Sequence, residues 1–342
     1  MMAREIKTKH LNGLIYLRRL IMKFGIIGAA HGHITSFANT MIKNGHEFVG
    51  IYDPILNRTK IYKDKYKIPV YDKAEYLLEQ GIEIVGTSAV NNIKIDVIEM
   101  CYHKGVHVIA DKPAVVSKDQ YDRLSKIISD GKIQIGMLLT LRFSPAYCQL
   151  KKILDQNQLG TVLSYGFHNP HNLNPDTREE WHFSSEQNGG LIIDLLIHCT
   201  DLLNWYNAGF EIESCTGIKV KSVLPEKESF YDYADVFLKS KDGISAYFKT
   251  GWLMPECSGA GGYKTIVTGS KGMAIIDENV LKVCINNQPF EQVTCEKVDG
   301  DPTTDFLKGI KGEKRIISHE DILAATKMTL EMDSGVTVHR KA

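Results

Sequence analysis

No stretch of the 342-residue chain stays apolar for the ~18 residues that a membrane-spanning helix needs. No charge of one sign dominates either. Lys plus Arg and Asp plus Glu both number 41, so there is no basic field to gather nucleic acid. The seven cysteines lack CxxC or zinc-ligand spacing, and no metal site is expected. An odd, scattered set points to reduced thiols and a cytoplasmic protein rather than a disulfide framework. Internal repeats and low-complexity segments are also missing. What remains is ordinary globular composition, 43% hydrophobic and 24% charged, on a chain long enough for two domains.

Arg18-Arg19 ahead of an apolar run has the outline of a twin-arginine export signal. "MKFGIIG" reads better as a first strand running into a glycine turn, so residues 1–21 are taken as an extension outside the fold. From there the pattern is strand (Lys23 to Ile27), turn (Gly28 to His33) and helix (Ile34 to Lys43), closed by Asn44-Gly45. "EFVGIYDP" follows as a second strand. This is the opening of a dinucleotide-binding unit, in which backbone N–H groups at a helix N-terminus receive a pyrophosphate. The glycine fingerprint is altered: Ala30 and His33 stand at its second and third positions, with His31 and Gly32 between them. Asp53 closes the second strand where an acidic side chain accepts from the adenosine ribose hydroxyls, which favours NAD over NADP. Arg58 is expected near the adenine. Further strands and helices alternate to about Leu141, predicting a parallel sheet with ligands at its carboxyl ends. Gly28–His33, "SAVNN" (Ser88 to Asn92) and "DKP" (Asp111 to Pro113) lie there.

"GGLIIDLLIHCTDLLNWY" (Gly189 to Tyr206) reads as one helix, apolar nearly all round and hence buried. Asp194, His198 and Asp201 nevertheless fall within roughly 60° of one another on it. Buried carboxylates and imidazoles need partners or a task. The plainer reading of an i,i+4 Asp/His pair is a helix-stabilising contact.

"GIIGAAHGH", "YDP", "GVHVIADKP" and the GG helix, in that order, resemble the Gfo/Idh/MocA oxidoreductases from about Met22 onward. The resemblance implies an α/β Rossmann domain with a parallel sheet over 22–141. It implies an α+β substrate-binding and oligomerisation domain with a large open, mostly antiparallel sheet over 142–342. It makes Lys112, Asp194 and His198 the catalytic set, and Gly28, Ala30, His31, Gly32, His33, Asp53, Arg58, Ser88, Asn91, Asp111 and Lys112 the cofactor contacts. Hydride would pass between NAD and a sugar, cyclitol or related polyhydroxy substrate, with either Lys112 or His198 as the base. Asp111, Val90 and Lys94 depart from the family's usual Glu, Pro and His.

Past Leu141, strand-like runs follow one another with few helices between, as in an antiparallel sheet. Arg142, Trp181 and His182 are the expected substrate contacts. His168, His171, Trp252 and Tyr263 are weaker ones, and Asp201 is expected to be structural. The enzyme is expected to be a homo-oligomer paired through its C-terminal sheet. Two other readings keep the fold: an NAD-sensing regulator without chemistry, and a redox-neutral NAD-dependent glycosidase.

Overall fold

The computed structural model describes residues 21–253 and 263–340, so the expected extension lies, apart from Ile21, outside the described residues. Strands β1 (Lys23–Ala29), β2 (Glu47–Tyr52), β3 (Ile84–Ser88), β4 (His107–Ala110) and β5 (Ile135–Met137) pair in parallel, in the order β2-β1-β3-β4-β5. Helices α1 (Ile34–Lys43), α2 (Leu56–Tyr66), α3 (Ala74–Leu78), α4 (Lys94–Lys104) and α5 (Lys118–Asp130) connect them. The sheet is covered on both faces. One core gathers around Phe24, Phe37 and Ile84, the other around Ile27, Val85, Ile98 and Leu124. That is why β3, buried at every residue, reads as a continuous run rather than an alternation. Strand order reverses between β1 and β3, and the loops leaving those strands flank the crevice where such sheets bind ligands. Helix α2 buries only Thr59 and Tyr62, so its sequence carries no apolar stripe and periodicity does not reveal it.

A nine-stranded sheet follows: β6 (Val162–Pro170), β7 (Ile212–Lys221), β8 (Tyr233–Ser240), β9 (Ser245–Gly251), β10 (Lys264–Gly269), β11 (Gly272–Asp277), β12 (Val280–Ile285), β13 (Glu291–Gln292) and β14 (Thr337–Arg340). Its order is β13-β12-β11-β10-β6-β9-β8-β7-β14. It is antiparallel except where β6 meets β9 and β7 meets β14. Helices α6 (Pro145–Asp155), α7 (Ser185–Asn188), α8 (Leu191–Tyr206), α9 (Pro302–Ile310) and α10 (His319–Ser334) complete the chain. Residues of α6, α8 and α10 share one core with the sheet, around Leu150, Leu195, Phe248 and Met328. Ser318 caps α10 in a capping box closed by Asp321.

Packing crosses the expected division at residue 141. Helix α9 returns to the first sheet and buries Phe306 and Leu307 in its core. A Cβ on Gly136 of β5 would stand 2.8 Å from the Phe306 ring, so the glycine makes room for it. Thr40 of α1 donates to Asp301, the N-cap of α9, at 2.6 Å. Ile322 and Ala325 of α10 join the opposite core of that sheet.

Candidate functional site

The turn from β1 to α1 demands its first glycine. Gly28 has φ +84°, and a Cβ there would lie 2.5 Å from that of Ala89. The Ser88 hydroxyl, buried behind the turn, donates to the His31 carbonyl at 2.7 Å, and the Ala30 N–H donates to the Ser88 carbonyl at 2.9 Å. At Gly32 a Cβ would meet nothing within 4 Å, so the turn is open on its outer side. Helix α1 starts without a side-chain cap or an acidic residue in its first turn. Its N-terminal dipole is therefore left for an anion.

Asp53 sits buried beyond β2. It accepts from the Ala29 N–H at 2.7 Å, the Ile55 N–H at 2.8 Å and Arg58 at 3.3 Å. Arg58 also grips both carboxylate oxygens of Glu179, a residue between β6 and α7. It thus bridges the two sheets' territories at the Asp53 end of the groove.

At the end of β4, the Asp111-Lys112-Pro113 turn is held from beneath. The fully buried Lys94 ammonium donates to Asn91 Oδ1 at 2.8 Å and to the carbonyls of Asp111, Lys112 and Pro113 at 3.1–3.2 Å. Burial, partly offset by Asp111, lowers its pKa to about 8. Asn91 donates in turn to the Asn188 carbonyl at 2.8 Å. Gly189 and Gly190, at φ +95° and +87°, then turn the chain into α8. Lys112 Nζ donates to Asp194 Oδ1 at 2.8 Å and to the Asp194 carbonyl at 2.9 Å, while Asn188 holds Oδ2 at 3.2 Å. Against the upward pull of burial, the Lys112 charge keeps the Asp194 carboxyl well below the usual carboxylate range. One turn on, His198 is buried and its Nδ1 has no partner. Burial, reinforced by Lys112, pushes this imidazole down to about 3, so it is neutral.

These groups face a cavity of about 480 Å³. His31, His33, Asn91, Asp111, Lys112, Asp194 and His198 line it from the Rossmann side and α8; His171, Arg178, Trp181, His182, Trp252 and Tyr263 complete the wall. His171 and His182 are each lowered to about 4, chiefly by burial. His33 Nδ1 lies 3.2 Å and His31 Nδ1 3.5 Å from the Asp111 carboxylate. One ligand atom from each of the three residues lies within 4.8 Å of the others, a spacing that could accept a cation and that the sequence reading did not foresee.

Two expected residues lie elsewhere. Arg142 is no substrate contact: it is 1% exposed and spends its guanidinium on Asp201 (2.7 Å), Asp321 (3.0 Å) and the Ile316 carbonyl (3.1 Å). Asp201, its partner, is likewise buried and does not line the cavity. His168 points to the exposed face of β6. Arg178, conversely, lines the cavity and belongs to no motif that would single it out.

A model of an oxidoreductase family with an NAD-binding Rossmann fold matches residues 22–136, and a model of the GFO/IDH/MocA C-terminal domain matches residues 147–275. Inositol 2-dehydrogenase of Salmonella typhimurium is 27% identical over 75% of this chain and 73% of its own. Glucose-6-phosphate 3-dehydrogenase of Bacillus subtilis is 26% identical over 79% of this chain and 83% of its own. The solved structure of aldose-aldose oxidoreductase from Caulobacter crescentus matches with a TM-score of 0.78 across 92% of this chain and 97% of that one, at 14% identity, a likeness of fold.

Proposed function

The chain belongs to the Gfo/Idh/MocA family of NAD(P)-binding oxidoreductases, and on that premise we propose that it is an NAD-dependent dehydrogenase of a sugar, cyclitol or related polyhydroxy compound. The observation that carries the reading is the Lys112–Asp194 pair at 2.8 Å on the cavity wall, one helical turn from an imidazole with an unpartnered nitrogen. The turn around Gly28 and the buried Asp53 carboxylate support a nicotinamide dinucleotide along the crevice. NAD, when bound, supplies the hydride acceptor.

The alcohol carbon loses hydride and its hydroxyl loses a proton. Lys112 has three N–H donors, of which two serve Asp194, so one is left for the substrate oxygen. It stabilises the negative charge that develops there. An ammonium has no lone pair. While Lys112 keeps its ion pair, the neutral His198 is therefore the acceptor for the hydroxyl proton, and its low proton affinity makes it a relay rather than a store. Asp194 orients Lys112. His31 and His33, beside Asp111, are read as contacts to the cofactor.

Asp53 supports NAD over NADP: a carboxylate there repels a 2′-phosphate, and Arg58 is already committed to Asp53 and Glu179. The cysteines among the described residues are all free, which supports a cytoplasmic protein. Phe237 and Tyr247, register partners on β8 and β9, are both more than 40% exposed and support self-association through the second sheet.

The test is nicotinamide absorbance of the purified protein with NAD across sugars, cyclitols and sugar acids, beside Lys112→Met. NADH formed by the wild type alone supports the reading. Turnover by Lys112→Met at the wild-type rate overturns it. NADH binding without turnover of any compound favours the sensing regulator.

A further inference from the structure

Arg178 is a cation on the cavity wall that no carboxylate bonds among the described residues; the Asp194 charge reaches it, but that carboxylate is held by Lys112. Its guanidinium lies over the Trp252 ring, 4.4 Å from the centroid. Its Nε donates to the Leu173 carbonyl and one terminal nitrogen to the Asn172 carbonyl at 3.2 Å. Those two acceptors are neutral, and a guanidinium has five N–H donors. Among the described residues no carboxylate bonds to it. Asp194, the carboxylate whose charge reaches it, is taken by Lys112 and Asn188. The other cation lining the cavity, Lys112, is matched by Asp194.

A second group nearby has the same polarity. Trp181 is 5% exposed and lines the cavity, yet its indole N–H has no acceptor. Indole N–H and guanidinium are donors only. Buried donors left without acceptors, and a partly desolvated charge left without an opposite one, are each unfavourable until a ligand supplies both. The hydroxyls of a neutral polyol would satisfy the donors and leave the charge unmatched.

We propose that the substrate carries an anionic group, a carboxylate or a phosphate ester, received by the Arg178 guanidinium on the cavity wall that Trp181 also lines. The proposal rests on the dehydrogenase reading above and narrows its substrate to acidic polyhydroxy compounds. Stacking on Trp252 holds the guanidinium plane in place, as bidentate recognition of a planar carboxylate or a phosphate requires.

The experiment compares matched compounds with NAD: glucose, glucuronate and glucose 6-phosphate, and inositol beside its phosphate, for the wild type, Arg178→Met and Arg178→Lys. The wild type should prefer the charged member of a set. The ratio of kcat/KM for charged over neutral compounds should fall on the order of 10- to 100-fold in Arg178→Met, through KM, with part of it restored by Arg178→Lys. Whether the carboxylate or the phosphate responds tells the two anions apart. Equal use of neutral compounds, or a ratio unmoved by Arg178→Met, overturns the proposal; so does a loss of NADH affinity in Arg178→Met with that ratio unchanged, which would assign the guanidinium to the cofactor. If no compound yields NADH, the dehydrogenase reading fails on its own. Tryptophan fluorescence then decides: saturable quenching by glucuronate or inorganic phosphate, absent with glucose and lost in Arg178→Met, sustains the anion site, and no quenching removes it.

Discussion

The two ends of α8 carry the same chemistry to opposite purposes. Asp194 and Asp201 stand two turns apart on one stripe of the helix, and each pairs with a cation from the first half of the chain: Lys112 at 2.8 Å and Arg142 at 2.7 Å. At the Arg142 end the charges are paired and neither residue lines the cavity. Its guanidinium is shared among Asp201, Asp321 and a carbonyl, and its exposure is 1%. At the Lys112 end one ammonium N–H and one imidazole nitrogen are left over, and Lys112 and His198 both line the cavity. The lesson is that burial and pairing do not separate a structural ion pair from a working one. Unspent hydrogen-bonding capacity beside a cavity does.

Breaking the Arg142 end should have the larger effect on stability. Arg142→Met strands the Asp201 carboxylate in the core and should cost about 3–5 kcal/mol, read as a lower urea midpoint. Lys112→Met should instead lower kcat on the order of 10²- to 10³-fold. Its loss of stability should be smaller than that of Arg142→Met, because Asp194 keeps Asn188 and borders the cavity. Reversal of that order in denaturant titrations would dissolve the contrast. Gly28→Ala tests the crevice that the Lys112 end serves: an alanine at φ +84°, pressed against Ala89, should cost about 1–3 kcal/mol and weaken NADH binding in a fluorescence titration. The smallest effect concerns pH. His198 has a folded pKa of about 3 against an ordinary 6.5, so below pH 6.5 the unfolded chain takes up a proton that the native one refuses. Its contribution to stability is complete above pH 6.5 and is lost as pH falls toward 3. Replacing it in His198→Asn should flatten the pH dependence of the unfolding free energy between pH 6 and 4 by up to about 1.4 kcal/mol per pH unit.

Much of this contrast was legible before any coordinates. The polar stripe on an otherwise apolar helix marked α8, and the alternation of apolar runs with helical stretches marked the parallel sheet. Lys112 could be grouped with Asp194 and His198 only through the resemblance to the Gfo/Idh/MocA family, whose strand and helix motifs they match. Arg142 misled because an arginine after a strand looks the same whether it faces a ligand or a core. Its partners Asp201 and Asp321 are distant in sequence, and only the fold brings them together. Arg178 escaped notice for the related reason that its distinction is a partner it lacks. Helix α2 was missed for want of an apolar face. Helix α9 does not stand out in the sequence although Asp301-Pro302 is a fair N-cap signal, because the helix is only nine residues long.

The return of α9 to the first sheet also bears on how the molecule is made. Phe306 fills space over Gly136, and Asp301 ties to Thr40, so the first sheet's core is finished by residues from near the far end of the chain. At about 5–20 residues per second, a ribosome releases Phe306 roughly 8–34 s after Gly136. Through that interval the emerging Rossmann unit exposes the apolar surface that Phe306 and Leu307 later cover. The apolar surface of this half is therefore least covered during synthesis, before α9 docks.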